Sequence, residues 1–102
     1  MTKEEVVNIL YKQTGMKKEE TKVLVDGFLS VISAALKEGK RIDFRGFGHF
    51  EVKLRKPRKG RIPGTGKEID IPERAVPVFQ ASDILKDEVD KQYKDGRFDP
   101  TE

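Results

Sequence analysis

The fold is decided by the stretch from Ile42 to Phe79, which reads IDFRGFGHFEVKLRKPRKGRIPGTGKEIDIPERAVPVF. Apolar and polar residues alternate near both of its ends, which is the pattern of half-buried β-strands. The tripeptide Gly46-Phe47-Gly48 separates two such alternating runs and predicts a tight hairpin connection. Residues 55–61 offer no apolar face, so we expect them to project away from the core.

A turn lies in the middle of this stretch. The tetrapeptide Ile62-Pro63-Gly64-Thr65 places proline before glycine, the order that a type II turn favours. Alternation resumes after it, at Ile69 and Ile71. The simplest geometry is a long two-stranded ribbon that is rooted in a small antiparallel sheet and turns near Pro63. We call this ribbon the arm and place it at about residues 53–74.

The positive charge of the chain is concentrated in the arm. The chain has 21 Lys and Arg against 18 Asp and Glu, a net charge of +3. Residues 53–67 contain seven basic residues and no acidic one, so the rest of the chain is mildly acidic. Such an asymmetry is typical of a polyanion-binding element mounted on an ordinary scaffold.

Helical patterns frame the arm on both sides. A capping box at Thr2–Glu5 precedes a short helix that Gly15 ends. A second helix should run from about residue 18 to residue 38, with an apolar stripe at helical spacing and Gly39 as its left-handed cap. Ser82 is suited to cap a third helix.

The predicted class is α+β, with an N-terminal helical hairpin, a small antiparallel β-sheet extended into the arm, and a C-terminal helix. We expect one domain over residues 1–93, followed by a flexible tail. The predicted parts are the helical hairpin (1–39), the sheet with its arm (40–81), the C-terminal helix (82–93) and the tail (94–102).

Composition excludes several classes of protein. Cysteine is absent and His49 is the single histidine, which excludes disulfides, thiolate metal sites and zinc sites built from several histidines. No apolar run approaches the ~20 residues of a membrane span or the ~7–15 of a signal peptide. No nucleophile–base pair, phosphate loop or metal-ligand spacing is present. We therefore expect no enzyme, no cofactor, no metal, no small-molecule substrate and no membrane partner.

The apolar residues are too many for one small core. Without the arm and the tail about 70–75 residues remain, a size at which a single core is marginal. Five phenylalanines lie in the apolar patterns, and the second helix is apolar over more than one narrow stripe. We therefore expect an intertwined homodimer that shares one core and carries two arms related by a two-fold axis.

Specific motifs tie the arm to a known family. They are the run Gly46-Phe47-Gly48-His49-Phe50-Glu51-Val52, the spacing of Arg55, Arg58 and Arg61, and the tip residues Pro63 and Thr65-Gly66-Lys67-Glu68-Ile69. With them, about residues 1–93 resemble the bacterial histone-like HU and integration host factor family. The resemblance implies an interlocked dimer, either a homodimer or a heterodimer with a paralogous chain. Its arms would wrap the minor groove of double-stranded DNA in the nucleoid of the bacterial cytoplasm, with each tip proline inserted at a kink.

The resemblance also implies which residues bind DNA. Three arginines would line the arm against the groove, Pro63 would be the wedge between base pairs, and lysines would bind phosphates. Backbone amides of the turn at residues 46–48 would contact phosphate as well. The predicted DNA-binding residues are Lys53, Arg55, Lys56, Arg58, Lys59, Arg61, Ile62, Pro63, Thr65, Lys67, Gly46, Gly48, Lys86 and Lys3.

The tip departs from the family at Ile62, where asparagine is usual, and this departure makes the wedge more apolar. Contacts that go mainly to phosphates predict little sequence preference, and a wedge at the tip predicts bending, so we expect a protein that bends and compacts DNA with little sequence preference. Two other functions stay open on the sequence. One is a host-factor-like bender that prefers deformable sites, and the other is a module that binds RNA or another acidic partner.

Overall fold

The structure is a computed structural model that describes residues 1–101. It confirms the α+β class, the helical hairpin, the small sheet with its arm and the C-terminal helix. The chain divides into a helical unit, Met1–Glu38, and a second unit that begins at Gly39. The elements are α1 Lys3–Thr14, α2 Lys18–Lys37, β1 Ile42–Phe44, β2 Gly48–Arg55, β3 Arg58–Arg61, β4 Glu68–Ile71, β5 Arg74–Ala81 and α3 Asp83–Lys94.

The helical unit begins and ends its first helix as the sequence predicts. The Thr2 hydroxyl accepts a hydrogen bond from the Glu5 backbone N–H at 3.2 Å, a cap that contributes about 1 kcal/mol. Gly15 ends α1 in the left-handed conformation, with φ 76°. The Lys3 ammonium lies 2.6 Å from the Asp26 carboxylate and joins α1 to α2.

This unit buries little apolar surface by itself. Val7 and Ile32 are its buried apolar side chains among the described residues, whereas Leu24, Phe28 and Val31 are 59%, 53% and 69% exposed. A cavity of 450 Å³ opens on the same helices, and its lining is apolar apart from Lys3. The helical hairpin therefore presents an exposed, largely apolar surface.

The second unit is built on a three-stranded antiparallel sheet in the order β1-β2-β5. Phe44 pairs with Gly48 across the predicted hairpin connection, and the Phe47 N–H donates to the Phe44 carbonyl at 2.9 Å. The ring of Phe79 lies between two others, with centroids 4.9 Å from Phe50 and 5.2 Å from Phe47. These rings form the apolar face of the sheet.

Strand β5 lies so close to position 48 that there is no room for a side chain larger than that of glycine. A Cβ there would lie 2.5 Å from the Gln80 carbonyl oxygen and 2.6 Å from the Phe79 ring. Both distances are shorter than van der Waals contact, and the carbonyl belongs to a paired strand that cannot move freely. Position 48 therefore accepts no side chain without a shift of β5.

Ser82 connects α3 to the loop between β1 and β2. Its hydroxyl donates to the Gly46 carbonyl at 2.9 Å and accepts from the Leu85 N–H at 3.1 Å, so one side chain both caps α3 and attaches it to the β1–β2 loop. Beyond α3 the chain turns back, and the Phe98 ring lies 5.8 Å from that of Tyr93. The division into one domain and a flexible tail stays a prediction.

The arm is interrupted near its root. Strands β2 and β5 remain paired as far as Arg55 and Arg74, and β3 and β4 resume pairing at Arg58 and Ile71. Each strand advances by three residues between these pairs, so the register is unchanged and Pro57 stands opposite Pro72. Proline has no N–H to donate to a ladder. Two opposed prolines thus divide the predicted ribbon into a root and a distal arm, residues 58–71; we call this point the proline break.

Candidate nucleic-acid interface

The predicted basic residues of the arm are all exposed. None of them is buried against the sheet, and the distal strands β3 and β4 pair with each other in a separate two-stranded ladder. The exposed cations are Lys53, Arg55, Lys56, Arg58, Lys59, Arg61 and Lys67. The structure therefore leaves these side chains accessible to a large anionic partner.

One face of the distal arm is charged, and each cation on it lies opposite a carboxylate. Lys59 lies opposite Asp70 and Arg61 lies opposite Glu68. Because alternate residues of a strand point to the same side, these four side chains share a face. The return strand thus offsets part of the positive charge that the outgoing strand brings to the distal arm.

The other face of the distal arm is largely apolar. Gly60 lies opposite Ile69, and Arg58 lies opposite Ile71. Ile62 and Ile69 are 38% and 42% exposed. Gly60 adds no side chain to this face, and a Cβ atom there would lie 2.8 Å from the Cδ1 atom of Ile71. The arm thus presents a smooth strip of isoleucine side chains beside Arg58.

The tip is a closed turn that reverses the chain between Gly64 and Thr65 and carries Pro63 beside that point. The Ile62 N–H donates to the Lys67 carbonyl at 2.9 Å, and the Ile62 carbonyl accepts from the Gly66 N–H at 3.2 Å. Gly64 has φ 86°, as the third residue of a type II turn requires. The Thr65 hydroxyl donates to the Ile62 carbonyl at 3.4 Å, so Thr65 supports the turn from within. Pro63 is left exposed at the end of the arm.

The root of the arm carries a cation that the sequence analysis did not select. Arg74 lies directly opposite Arg55 in the ladder and is exposed. The turn position could have revealed it, because a ribbon that turns between Gly64 and Thr65 pairs position 55 with position 74. Lys53 lies two residues before Arg55 on β2, and its ammonium is 3.6 Å from the Glu51 carboxylate.

Four predicted DNA-binding residues lie outside the arm, and three of them have contacts within the chain. Lys3 holds its ion pair with Asp26, and this hydrogen bond keeps the pKa of the Asp26 carboxyl below its ordinary value. Lys86 is exposed on α3. The Gly46 carbonyl is bonded to Ser82, and Gly48 is buried beside the Phe79 ring. A DNA contact by these four residues stays a prediction.

Residues 1–101 contain no group of three or more His, Asp or Glu side chains placed to hold a metal ion. His49 instead contacts Glu51, with its Nε2 atom 3.3 Å from the carboxylate. Within the same residues, no helix combines the length and the apolar character needed to span a bilayer.

Comparison with known proteins places the whole arrangement among DNA-binding proteins. The family model described as bacterial DNA-binding protein matches residues 1–90. DNA-binding protein HU of Staphylococcus aureus is 44% identical over 89 residues, which cover 87% of this chain and 99% of that protein. Integration host factor subunit alpha of Polaromonas naphthalenivorans is 40% identical over 89 residues, 87% of this chain and 72% of that protein.

Solved structures show the same likeness. An HU–DNA cocrystal structure from Anabaena superposes with a TM-score of 0.81 at 31% identity, covering 87% of this chain and 97% of that one. HU from Thermotoga maritima gives a TM-score of 0.63 at 29% identity, covering 87% and 98%. The resemblance inferred from the motifs is thereby confirmed.

Proposed function

This chain belongs to the bacterial DNA-binding protein family, and from that premise we propose that it is a dimeric architectural protein that bends and compacts duplex DNA. The observation that carries the proposal is the arm itself. It projects exposed cations along two strands and ends in an exposed proline. No catalytic step is part of the proposal.

Two features of the arm support binding in the minor groove. Arginine forks suit the narrow, electronegative groove and its phosphates. The isoleucine strip at Ile62, Ile69 and Ile71 suits the apolar walls formed by the sugars. We therefore place the isoleucine strip toward the groove floor and Arg58 at its edge, with Arg55 and Arg61 reaching phosphates from the opposite face.

The tip supports bending. An apolar wedge that separates two base pairs kinks the duplex, and the unstacking costs a few kcal/mol per step, roughly, which the phosphate contacts along the arm offset. Pro63 is exposed in the tip turn with Ile62 beside it, and the hydrogen bonds of the turn hold both in place. The replacement of the family's usual asparagine by Ile62 enlarges the apolar surface of this wedge.

Dimerisation is supported by the surface that the helical unit leaves open. Leu24, Phe28 and Val31 are more than half exposed, and apolar groups of this size contribute about 1.5–3 kcal/mol each when they are buried. A second copy of the chain presents the same surface and can cover it by two-fold symmetry. The dimer then carries two arms, one for each side of a bend.

The decisive experiment is end-to-end energy transfer on a doubly labelled duplex of ~35 base pairs, titrated with protein at 50 and 200 mM salt. We expect transfer to rise on binding and affinity to fall steeply with salt. Salt-sensitive binding without a change in end-to-end distance would replace bending by coating. Equal affinity for an RNA duplex of the same length would replace the DNA function by binding to any polyanion.

The relatives also support a second candidate, since they include both an HU protein and a host-factor subunit. That candidate is a bender that selects deformable sites. Competition between duplexes rich in flexible TA steps and random duplexes distinguishes the two, because selection through deformability favours the flexible set. Our proposal of little sequence preference requires the affinities for the two sets to differ by less than about threefold. Strongly specific binding differs from non-specific binding by about 4–10 kcal/mol, which corresponds to a far larger ratio of affinities.

A further inference from the structure

A cleft of 650 Å³ opens at the root of the arm, where the ladder is broken. Its apolar lining residues are Val76, Ile71, Pro57 and Pro72. Four cations complete the lining, namely Arg55, Lys56, Arg58 and Arg74, and no acidic residue lines it.

The proline break explains why a cleft lies here. Opposed prolines at positions 57 and 72 remove two N–H donors from adjacent strands, so the strands cannot close the ladder between them. The register resumes unchanged on the far side, which makes the opening local. The cleft is therefore built into the paired strands and does not depend on a loop.

The charges around the cleft are arranged unfavourably for a protein without a ligand. Arg55 and Arg74 stand directly opposite each other, and like charges in that position destabilise an antiparallel pair. In the distal arm, by contrast, Lys59 and Arg61 stand opposite carboxylates. By the same register Glu73 stands opposite Lys56, so the uncompensated positive charge of the root is the pair Arg55 and Arg74.

We propose that this cleft is a phosphate-binding subsite, in which the guanidinium groups of Arg55 and Arg74 hold one phosphate from two sides. Arginine forks bind phosphate oxygens in pairs, and Lys56 and Arg58 add charge at the rim. The proposal deepens the proposed function and rests on it, because the natural source of the phosphate is the backbone of a duplex beside the arm. A free polyphosphate has the same chemistry and is the other source.

The first experiment uses the anion alone. Pyrophosphate is titrated into the full-length protein at constant ionic strength, and the arginine Nε–Hε resonances are followed by NMR. We expect saturable shifts at Arg55, Arg58 and Arg74, and weak, linear shifts at Arg61 and at Arg97 in the tail. If pyrophosphate saturates these shifts, a free polyphosphate can also supply the phosphate that the cleft binds. If all five arginines respond alike, the cleft does not recognise pyrophosphate by itself, and a phosphate subsite then requires the duplex result below.

The second experiment uses duplex DNA and a double-mutant cycle. Arg74→Gln removes one charge-assisted hydrogen bond from each arm of the dimer, so it should weaken binding about a hundredfold and should make the salt slope shallower by about two units. Lys91→Gln on α3 removes the same charge outside the cleft and is the matched control. In a Pro57→Ala background, which returns one N–H to the ladder, the effect of Arg74→Gln should fall below threefold.

The outcomes separate this inference from the function on which it rests. If the wild-type protein binds no duplex, the proposed function fails. If the wild-type protein binds but Arg74→Gln behaves like Lys91→Gln, or if its effect is undiminished beside Pro57→Ala, the subsite is refuted and the function stands. Circular dichroism of each variant confirms that the fold is retained.

Discussion

Strands β2 and β5 form one continuous pair from the sheet to the root of the arm, yet the two ends of that pair differ in what their side chains contact. At the sheet end, the rings of Phe50 and Phe79 lie 4.9 Å apart. At the arm end, Arg55 and Arg74 stand opposite each other and are exposed. Stability should therefore depend on one end of the pair and DNA binding on the other.

The largest expected effect tests the arm end. Replacing Arg55, Arg58 and Arg61 together by alanine removes three charge-assisted contacts from each arm, six from the dimer, worth about 1.5 kcal/mol each, so affinity should fall by well over a thousandfold. The salt slope should become shallower by about 5.4 units. Fluorescence anisotropy of a labelled duplex measures both quantities.

The same triple variant should unfold like the wild-type protein. Urea unfolding at one protein concentration checks this, since the stability of a dimer depends on its concentration. A loss of stability comparable to the loss of binding would show that the arm contributes to the core, and the comparison would fail.

The next effect tests the sheet end with a matched pair of glycines. Gly48→Ala forces a methyl group against the Gln80 carbonyl and the Phe79 ring and should cost about 2 kcal/mol of unfolding free energy, as overpacking does. Gly60→Ala meets only the mobile end of Ile71, so it should cost less than about 0.5 kcal/mol. Equal costs in urea unfolding would contradict the assignment of stability to the sheet.

A smaller effect tests the tip. Pro63→Ala should leave affinity within about threefold of wild type, because the phosphate contacts remain. The end-to-end distance of the bound duplex should nevertheless increase, because the wedge is lost. Pro100→Ala, which lies outside the arm, is the control. Unchanged bending in the tip variant would exclude Pro63 as the wedge.

The smallest effect concerns a charge pair remote from the arm. The hydrogen bond from Lys3 lowers the pKa of Asp26 below its ordinary 3.8, so the pair stabilises the protein above that pH, and the contribution disappears as the pH falls through the folded-state pKa. Asp26→Asn should therefore be slightly less stable than wild type at neutral pH and equal to it in acid. Urea midpoints across this pH range provide the measurement, and a difference independent of pH would contradict the assignment.

Local patterns were sufficient to predict most of the fold. Thr2, Gly15 and Ser82 act as caps where the sequence places them, and the turn forms at the predicted proline and glycine. Each of these features depends on residues close together in the chain. For the same reason, the exposed cations of the outgoing strand were recognisable from their spacing alone.

What the sequence analysis missed depends on pairing between distant residues. Pro57 and Pro72 are each ordinary strand interruptions, and only the register brings them opposite each other. The same holds for Arg74 beside Arg55, and for the carboxylates that oppose Lys59 and Arg61. A count of charges along the chain therefore spread the positive charge over residues 53–67, whereas the register sets Lys59 and Arg61 opposite carboxylates and brings Arg55 and Arg74 together at the root.

The unchanged register across the proline break also limits how the length of the arm can vary. One residue inserted into a single strand would turn every following side chain to the opposite face and would place the charged pairs where the isoleucines are. Insertions matched in both strands avoid this exchange when they come two at a time. Each such step moves Pro63 outward by about 6.8 Å, or about two phosphates along one DNA strand at ~3.4 Å each. In the proposed bent complex, the distance between the two kinks is thus a discrete quantity that redesign of the arm can set.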